Sequence, residues 1–326
     1  MINFIALFIL SFALSFFLIL FLKWIILKFK LLNKDNKPPF IGGVCFFLPF
    51  FLLFLSFNYI NKQTLPFEFV IILVFSAIVF LLEILDDIKD FSLRTRLIIQ
   101  FFFISCYLLY GKSIQIYYLP QWLNYLLSFL WIMGITNAFN LLDIADGVCG
   151  GVSVIICLSF MSVSLIQNEV VLASLFISIL GALLAFLFFN LPKAKVFMGN
   201  SGSHFLGFLF AAFSAYGDYA TAFKPWSLIL PLLILGFPII DTFFLIVSRL
   251  KNGISPLRKS NDHIFLRLIS SGLSHKRSLM IIYLISLLWA LCGILILFGV
   301  NLYFFTLIII SIWVTLRIIG KAFSAG

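Results

Sequence analysis

Long apolar runs separated by short polar connections dominate the chain, and the runs are too long for β-strands. Most of them approach the ~20 residues that an α-helix needs to cross the hydrocarbon core of a bilayer. They also lack the alternation of apolar and polar residues that is typical of a membrane barrel. The pattern predicts about eleven membrane-spanning helices, at 3–27, 40–58, 67–85, 97–111, 120–136, 150–167, 170–190, 203–216, 226–247, 279–298 and 302–320.

Composition supports this assignment, because 63% of the 326 residues are hydrophobic and only 10% are charged. Such a composition excludes an ordinary soluble domain. We therefore predict an all-α fold, a polytopic integral membrane helical bundle that forms a single domain over residues 1–326. The first apolar run lacks a basic segment before it, so it is interpreted as a membrane span and not as a cleaved signal peptide.

The basic residues predict the orientation of the bundle. By the predicted topology, nineteen of the 22 Lys and Arg residues lie on one face, and the other face holds Lys62, Lys112 and Lys224. Because basic residues accumulate in cytoplasmic connections, the N-terminus is expected outside and the basic face in the cytoplasm. This bias alone explains most of these residues, and the basic face also suits anionic lipid headgroups and anionic substrates.

The first polar cluster closes the third predicted span with Asp86, Asp87 and Asp90. Asp86 and Asp90 share one face of a helix, and Asp87 points about 100° away. The alternative is a solvated helix end neutralised by Arg94 and Arg96. Three carboxylates at a helix C-terminus oppose the helix dipole, so the functional interpretation is favoured.

The second cluster places Asn137, Asn140, Asp143 and Asp146 at successive steps of three residues. In a helical segment these side chains lie along one side. A capped helix end is the alternative, but capping accounts for one residue and leaves three. The glycine at 147 permits a turn and a close approach to a ligand.

The third cluster is the Gly/Ser-rich turn 199–203, preceded by Lys195. Such a turn at the start of a helix is expected to offer free backbone N–H groups to an anion. A later basic connection adds His263 and Arg267, for which a solvated loop is the alternative. Carboxylates and amides that converge at one membrane surface predict a site for a hard divalent cation and phosphates.

In this order the motifs resemble the bacterial polyprenyl-phosphate N-acetylhexosamine-1-phosphate transferases of glycosyltransferase family 4. The resemblance spans roughly residues 38–285. The matching segments are Gly42-Gly43 after Pro38-Pro39, Asp86-Asp87 through Arg96-Leu97, Asn137 through Gly151, Phe189-Asn190, Ala194 through Gly199, Gly202-Ser203, Phe205 through Phe208, Pro238 with Asp241-Thr242, and Ser255 through His275.

The resemblance implies transfer of an N-acetylated sugar-1-phosphate from a UDP-sugar to undecaprenyl phosphate, with release of UMP. It implies a multi-pass protein of the bacterial cytoplasmic (inner) membrane that initiates O-antigen or another surface glycan. It also implies Mg²⁺, with Mn²⁺ as an alternative, held near Asn140 and Asn200. Nucleic acid is not an expected partner, and a homodimer is left open.

The same resemblance implies roles for the remaining polar residues. Asp86 and Asp87 would position or deprotonate the lipid phosphate, and Arg96 would reach the pyrophosphate. The implied catalytic set is Asp86, Asp87, Asp143 and Asp146. The implied substrate-binding set is Asp90, Arg96, Asn137, Lys195, His263 and Arg267.

Two departures from the family pattern leave alternatives open. Asn200 stands where the family usually has Asp, which removes a negative charge from the implied metal site. A catalytically inactive homologue is therefore one alternative, and a secondary transporter with coupling carboxylates is another. Phe265 and Leu266 stand where many relatives have histidines, so a less polar wall makes a 6-deoxy donor plausible beside UDP-N-acetylglucosamine. The alternative is that this end of the connection contacts lipid and indicates nothing about the sugar.

Overall fold

The computed structural model describes residues 3–29, 40–116, 118–216, 229–253, 255, 262–299 and 302–324. Some residues used in the sequence analysis lie outside this part of the chain. They are Pro38, Pro39, Lys224, residues 226–228 of the ninth predicted span, residues 256–261 and the basic residues Lys30, Lys34 and Lys37.

The described residues are helical throughout their regular structure, which confirms the all-α prediction. The helices are α1 (Phe4–Lys28), α2 (Gly42–Ile60), α3 (Phe67–Lys89), α4 (Leu93–Tyr110), α5 (Gln121–Leu142), α6 (Val148–Ile166), α7 (Val170–Asn190), α8 (Gly199–Tyr216), α9 (Ile229–Ile234), α10 (Gly236–Lys251), α11 (Ile264–Ser270), α12 (His275–Leu295) and α13 (Leu302–Ser324). Eight of them, α1 to α7 and α12, are long and apolar enough to cross a membrane. The protein is therefore a polytopic helical membrane protein.

Each predicted span overlaps a helix, but the ninth is divided. Instead of one helix over 226–247, the described residues form α9 and α10, which are interrupted at Leu235. Pro238 explains the interruption, because it has no N–H group to bond to the carbonyl of Ile234. The short helix α11 was not predicted. It lies in the basic connection before α12.

Polar side chains define where several helices begin. Ser92 accepts a hydrogen bond from Thr95 N at the start of α4, and Ser274 accepts one from Arg277 N at the start of α12. These hydroxyl groups satisfy N–H groups that have no partner within the helix. The same requirement is stricter inside a bilayer, where water cannot supply the missing acceptor.

Helix α8 forms the centre of the bundle. It packs against α2, α3 and α5, and all of its side chains from 201 to 214 are buried. Its apolar residues belong to the same core as those of its three neighbours. Because α8 is surrounded by protein, its neighbouring helices together fix its position.

The packing of α8 against α5 depends on Gly207. A Cβ atom at this position would lie 2.8 Å from Thr136 Cα and 3.1 Å from Ile135 O. Both are backbone atoms, which cannot move aside as a flexible side chain can. The absence of a side chain at Gly207 therefore sets how closely the two helices approach.

We predict that Gly207→Ala lowers the thermal stability of the purified protein in detergent. Overpacking a tight contact of this kind costs about 1–3 kcal/mol. Gly134→Ala on α5 is the matched control, because a Cβ there would meet nothing within 4 Å. Equal melting temperatures for the two variants would contradict this account of the α5–α8 contact.

Candidate active site

Three helix ends meet at one end of the bundle, and they carry the three predicted polar clusters. The C-terminal end of α3 and the C-terminal end of α5 both contact the start of α8 through side-chain hydrogen bonds. The start of α2 joins them, because Gly42 N and Gly43 N donate to the carbonyls of Phe197 and Met198, just before α8. The predicted convergence of the clusters is therefore observed in the structure.

Asp87 binds the N-terminus of α8. Its Oδ1 accepts from Asn200 N at 2.9 Å, and its Oδ2 accepts from Ser201 N at 3.0 Å. These are two of the N–H groups that a helix leaves unpaired at its start. A carboxylate is also the charge that the positive end of the helix dipole favours. Asp87 thus joins the end of α3 to the start of α8.

This contact changes the role expected for the Gly/Ser-rich turn. The sequence predicted backbone N–H groups that are free to bind a substrate anion, but Asn200 N and Ser201 N are bonded to Asp87. The turn is shaped for this internal anion: Gly199 has a φ of 80°, and a Cβ there would lie 2.9 Å from Asp87 Oδ2. The anion at the helix start is therefore a residue of the protein itself.

Asp86 is buried and accepts hydrogen bonds from three directions. Its Oδ1 accepts from Phe91 N at 2.8 Å and from Arg96 Nε at 3.0 Å. Its Oδ2 accepts from Asn200 Nδ2 at 2.8 Å. Arg96 also reaches Asp90 Oδ1 with Nη2 at 3.3 Å, so one guanidinium group contacts both carboxylates. Asp90 is the left-handed C-cap residue after the end of α3, so the two carboxylates do not share a face within the helix itself. Asp86 orients Arg96 and Asn200 at the same time.

Asn140 on α5 is hydrogen-bonded to the side chain of Asn200 at the start of α8. Its Nδ2 donates to Asn200 Oδ1 at 2.9 Å and lies 3.4 Å from Ser203 Oγ. Asn200 in turn donates to Asp86, so the three side chains lie in the order Asn140, Asn200, Asp86. The two residues implied as metal ligands are therefore direct neighbours.

The second cluster does not stay helical over its whole length. Helix α5 ends at Leu142, with Asp143 as its C-cap residue and Asp146 in the turn beyond it. The expected single helical side therefore holds only for Asn137 and Asn140. Burial, together with the nearby carboxylates of Asp87 and Asp146, raises the pKa of Asp143 to about 7.

The turn that carries Asp146 is held by several hydrogen bonds. Asp146 Oδ2 accepts from Ala194 N at 2.9 Å, and the ring nitrogen Nε2 of His275 lies 2.9 Å from the Asp146 carbonyl. Gly147, in the left-handed conformation, donates its N–H to Asn190 Oδ1 at 3.1 Å. Helices α7 and α12 therefore fix the loop that follows α5.

The donor chemistry of this cluster suits a hard cation. Among the described residues no group of three or more His, Cys, Asp or Glu side chains converges as a metal site. The neighbouring groups are instead the carboxylate of Asp86 and the amides of Asn140 and Asn200. Mg²⁺ is commonly held by one or two carboxylates together with substrate phosphates, so these residues fit such an ion when substrate is present.

Three other residues were predicted to bind substrate, namely Lys195, His263 and Arg267, and their surroundings differ. Lys195 is exposed at the surface, where its backbone N–H bonds to Phe189 O. His263 is buried, and its Nδ1 lies 2.9 Å from Asp241 Oδ2 on α10. Arg267 donates to Asp262 Oδ1 at 3.0 Å. His263 is thus paired with Asp241, and Arg267 is paired with Asp262.

Phe265 is buried in the protein core. Its side chain is 2% exposed, and its ring packs edge-on against His275 with centroids 4.9 Å apart. Leu266 is half-buried and packs against the core. Phe265 therefore gives no support to a 6-deoxy donor, because burial in the core explains its apolar side chain.

Three residues next to the site were not among the predicted site residues. Glu83 lies one turn before Asp86 on α3, and Gln100 and His204 lie on α4 and α8; all three are buried. His204 Nδ1 is 3.1 Å from Asn200 O and 3.2 Å from Glu83 Oε2. The signal that could have identified them was a polar residue within an apolar run.

Comparison with known proteins agrees with this site. Residues 69–218 match the glycosyl transferase family 4 description, and this range includes all three clusters. A probable undecaprenyl-phosphate N-acetylglucosaminyl 1-phosphate transferase of Bacillus subtilis (strain 168) is 33% identical over 268 residues, which cover 80% of this chain and 74% of the relative. The chain belongs to glycosyl transferase family 4. The resemblance found in the sequence is therefore confirmed.

Two further relatives of this family 4 protein carry a related name. The undecaprenyl-phosphate alpha-N-acetylglucosaminyl 1-phosphate transferase of Thermotoga maritima is 32% identical and covers 80% of this chain and 78% of its own length. The protein with the same description from Yersinia pestis is 26% identical, with coverage of 82% and 78%. Their similarity supports a membrane-bound transferase.

We predict that Asp87→Asn loosens the start of α8. An asparagine can accept only one of the two N–H groups, so one buried donor is left unpaired, which costs about 1–3 kcal/mol. Hydrogen exchange of the amides at 199–204 should accelerate about tenfold or more. Asp90→Asn is the control, since the Asp90 side chain is 94% exposed. If both variants exchange like the wild type, Asp87 does not hold this helix start.

Proposed function

We propose that the protein transfers an N-acetylated sugar-1-phosphate from a UDP-sugar to undecaprenyl phosphate. An oxygen of the lipid phosphate attacks the β-phosphorus of the UDP-sugar and forms a new P–O bond. The bond between this phosphorus and the bridging oxygen breaks, and UMP leaves with that oxygen. The names of the family relatives support the lipid acceptor and favour N-acetylglucosamine as the sugar.

The observation that carries this proposal is the hydrogen-bonded contact between α3, α5 and α8. Asp86, Asn200 and Asn140 meet at the helix ends, and Arg96 is bound to the same Asp86. A diphosphate needs cationic and hydrogen-bond-donating groups, and the cation that accompanies it needs oxygen ligands. This cluster supplies both types of group at one end of the bundle.

Arg96 is the residue that we assign to the pyrophosphate. Its Nε is held by Asp86 and its Nη2 by Asp90, which fixes the plane of the guanidinium group. Guanidinium N–H groups that do not face these two carboxylates remain for phosphate oxygens, and arginine recognises phosphate with a planar pair of donors. Asp86 and Asp90 thus act on the substrate through Arg96.

Asp86 and Asp87 are better suited to positioning than to proton transfer, because both carboxylates accept bonds from groups of the protein. Asp143 is better suited to proton transfer, since a group with a pKa of about 7 exchanges protons at neutral pH. A phosphate monoester has a second pKa of about 6, so the lipid phosphate is mostly ionised already. We assign to Asp143 the role of accepting a proton from the fraction of the lipid phosphate that is still protonated.

We assign Mg²⁺, with Mn²⁺ as an alternative, to the oxygen ligands of Asn140, Asn200 and Asp86. When bound, the ion offsets charge that develops on the transferred phosphoryl group. The two amides bond to each other and to Asp86, which keeps these side chains together.

The proposed setting is the bacterial cytoplasmic membrane, with the site facing the cytoplasm, where nucleotide sugars are made. The positive-inside distribution of Lys and Arg supports this orientation. Attachment of the first sugar to the lipid would initiate O-antigen or another surface glycan.

The deciding experiment uses purified protein, undecaprenyl phosphate, Mg²⁺ and a panel of UDP-N-acetyl sugars that includes UDP-N-acetylglucosamine and its 6-deoxy analogue. UMP release and formation of the lipid-linked sugar are measured together. Release with UDP-N-acetylglucosamine is the expected result. If no donor yields UMP, an inactive homologue or a transporter becomes the better account, and ion-driven uptake by proteoliposomes tests the latter.

We predict that Asp86→Asn abolishes UMP release while the protein remains folded. The amide keeps the shape of the side chain but removes the charge that orients Arg96, and it cannot accept all the bonds that Asp86 accepts. The control is Glu68→Gln, the same chemical change in the exposed first turn of α3, about 27 Å away along the helix. Near-normal turnover of Asp86→Asn would refute the assignment of Asp86.

We predict that Asn200→Asp retains activity and lowers the Mg²⁺ concentration needed for half-maximal rate. The new carboxylate would face Asp86 at the 2.8 Å contact, where repulsion is relieved by a cation. Without Mg²⁺ the melting temperature should fall, and Mg²⁺ should restore it. Asn168→Asp is the control, because it adds an equal charge at an exposed position beyond the far end of α6. An unchanged Mg²⁺ requirement in the folded Asn200→Asp variant would count against residue 200 as a ligand.

A further inference from the structure

Helix α12 lies against the loop that joins α5 to α6, residues 143–147. The helix is outside residues 69–218, the part of the chain that matches the family description. Two side chains of α12 bond to consecutive backbone carbonyls of the loop. His275 Nε2 lies 2.9 Å from Asp146 O, and the Tyr283 hydroxyl group donates to Gly147 O at 2.6 Å. The backbone of this loop is therefore held by a helix that the family match does not include.

The two contacts lie on one face of α12. His275, Leu279 and Tyr283 follow one another at steps of four residues, so their side chains line one side of the helix. A Cβ atom at Gly147 would lie 3.2 Å from Leu279 Cδ1 and 3.3 Å from the Tyr283 hydroxyl oxygen. Gly147 also has a φ of 80°, which favours glycine. Glycine at this position thus lets the loop lie directly on α12.

Gly151 on α6 provides the space for the Tyr283 ring. A Cβ atom at Gly151 would overlap Cζ and the hydroxyl oxygen of Tyr283. Glycine is less favourable than alanine in a helix interior, so its presence here is explained by this packing. Gly151 N also donates to Gly147 O at 3.0 Å, so the tyrosine and the helix share one acceptor. The first turn of α6 is therefore built around Tyr283.

These contacts restrict the position of Asp143. Asp143 is the C-cap residue of α5, and its N–H donates to Asn140 O at 3.3 Å. Three residues later the chain is bound to α12 through the carbonyls of Asp146 and Gly147. The segment between these two anchors is short, so it has little freedom of its own. Loss of the contact with α12 would therefore allow Asp143 to move relative to Asn140.

We propose that Tyr283 is a positioning residue that holds the α5–α6 loop, and with it Asp143, at the site. This inference rests on the proposed function, in which Asp143 accepts a proton from the lipid phosphate. Tyr283 acts through the backbone of the loop and not on the substrate. The hydroxyl group is the essential part of the side chain, because the ring alone has no donor for Gly147 O.

Two substitutions break the same hydrogen bond in different ways. Tyr283→Phe removes the donor and keeps the ring, whereas Gly151→Ala keeps the donor and pushes the ring away from the loop. In each variant, hydrogen exchange of the amides at 147 and 148 should accelerate about three- to tenfold, as for one lost hydrogen bond. The double variant should exchange no faster than Gly151→Ala, because the bond is already lost in that variant.

The pH dependence of kcat distinguishes positioning from general damage. Asp143 must be ionised to accept a proton, so its pKa of about 7 contributes to the acid side of the profile. A loosened loop admits water, which lowers the pKa of Asp143. We therefore expect the acid midpoint of Tyr283→Phe to move to lower pH by about half a unit or more. Ionisation of the lipid phosphate also contributes to this side, but it is the same in every variant.

Thr315→Val is the control for general damage to α12. Thr315 is buried on α13 and accepts a hydrogen bond at 3.1 Å from Nε1 of Trp289, which lies roughly 9 Å beyond Tyr283 along α12. This variant should lower the melting temperature and leave the loop exchange and the pH midpoint unchanged.

Three results would overturn the proposal: unchanged exchange of the loop in Tyr283→Phe, additive acceleration in the double variant, or an acid midpoint that stays in place while kcat falls. The exchange measurements need no turnover. Absence of UMP release by the wild type would refute the proposed function, and the exchange of the variants would still decide whether Tyr283 holds the loop. Failure of the proposed function is therefore distinguishable from failure of this inference.

Discussion

The contact between the Asp87 carboxylate and the start of α8 is the constraint on which the rest of the site depends. Helix α8 begins in a partly buried position, and its first N–H groups have no partner within the helix. A carboxylate from α3 supplies both acceptors, and its charge matches the helix dipole. Once this start is fixed, Asn200 lies between Asp86 and Asn140, and the three helix ends have a common geometry.

This constraint also explains why adjacent aspartates have different tasks. Asp86 and Asp87 differ by about 100° around α3. Asp86 accepts from the side chains of Arg96 and Asn200, whereas Asp87 accepts from backbone N–H groups at the start of α8. A phosphate-rich substrate brings further negative charge to a cluster that already holds Asp86, Asp87, Asp143 and Asp146. In the proposed reaction, the guanidinium group of Arg96 and the proposed divalent cation would balance this charge together.

The sequence was sufficient for the helical bundle, because apolar runs of membrane-spanning length have few other structures. It was also sufficient for the meeting of the clusters, since each lies at the end of a span on the same face. The division at Leu235 was not predicted, although Pro238 was a visible signal for it. Hydropathy averaged over a span does not detect one missing hydrogen-bond donor.

Which side chains of the site bond to each other could not be predicted from their spacing in the sequence. His263 bonds to Asp241, which is 22 residues away in the chain, and Asp87 bonds to N–H groups more than 100 residues away. Such pairs depend on how helices pack, and no local pattern encodes that. Gln100 and His204 were overlooked for another reason, because each is a single polar residue within an apolar run.

The burial of α8 has a consequence for how the chain enters the membrane during synthesis. Its first residues, Gly199 to His204, are polar or small, and the described helix is not among those apolar enough to cross a membrane alone. A segment of this kind partitions poorly into lipid, so its insertion depends on apolar helices such as α3 and α5 being present to receive it. The residues that build the catalytic surface would then also be residues on which membrane integration depends, and the two demands act on the same stretch of sequence.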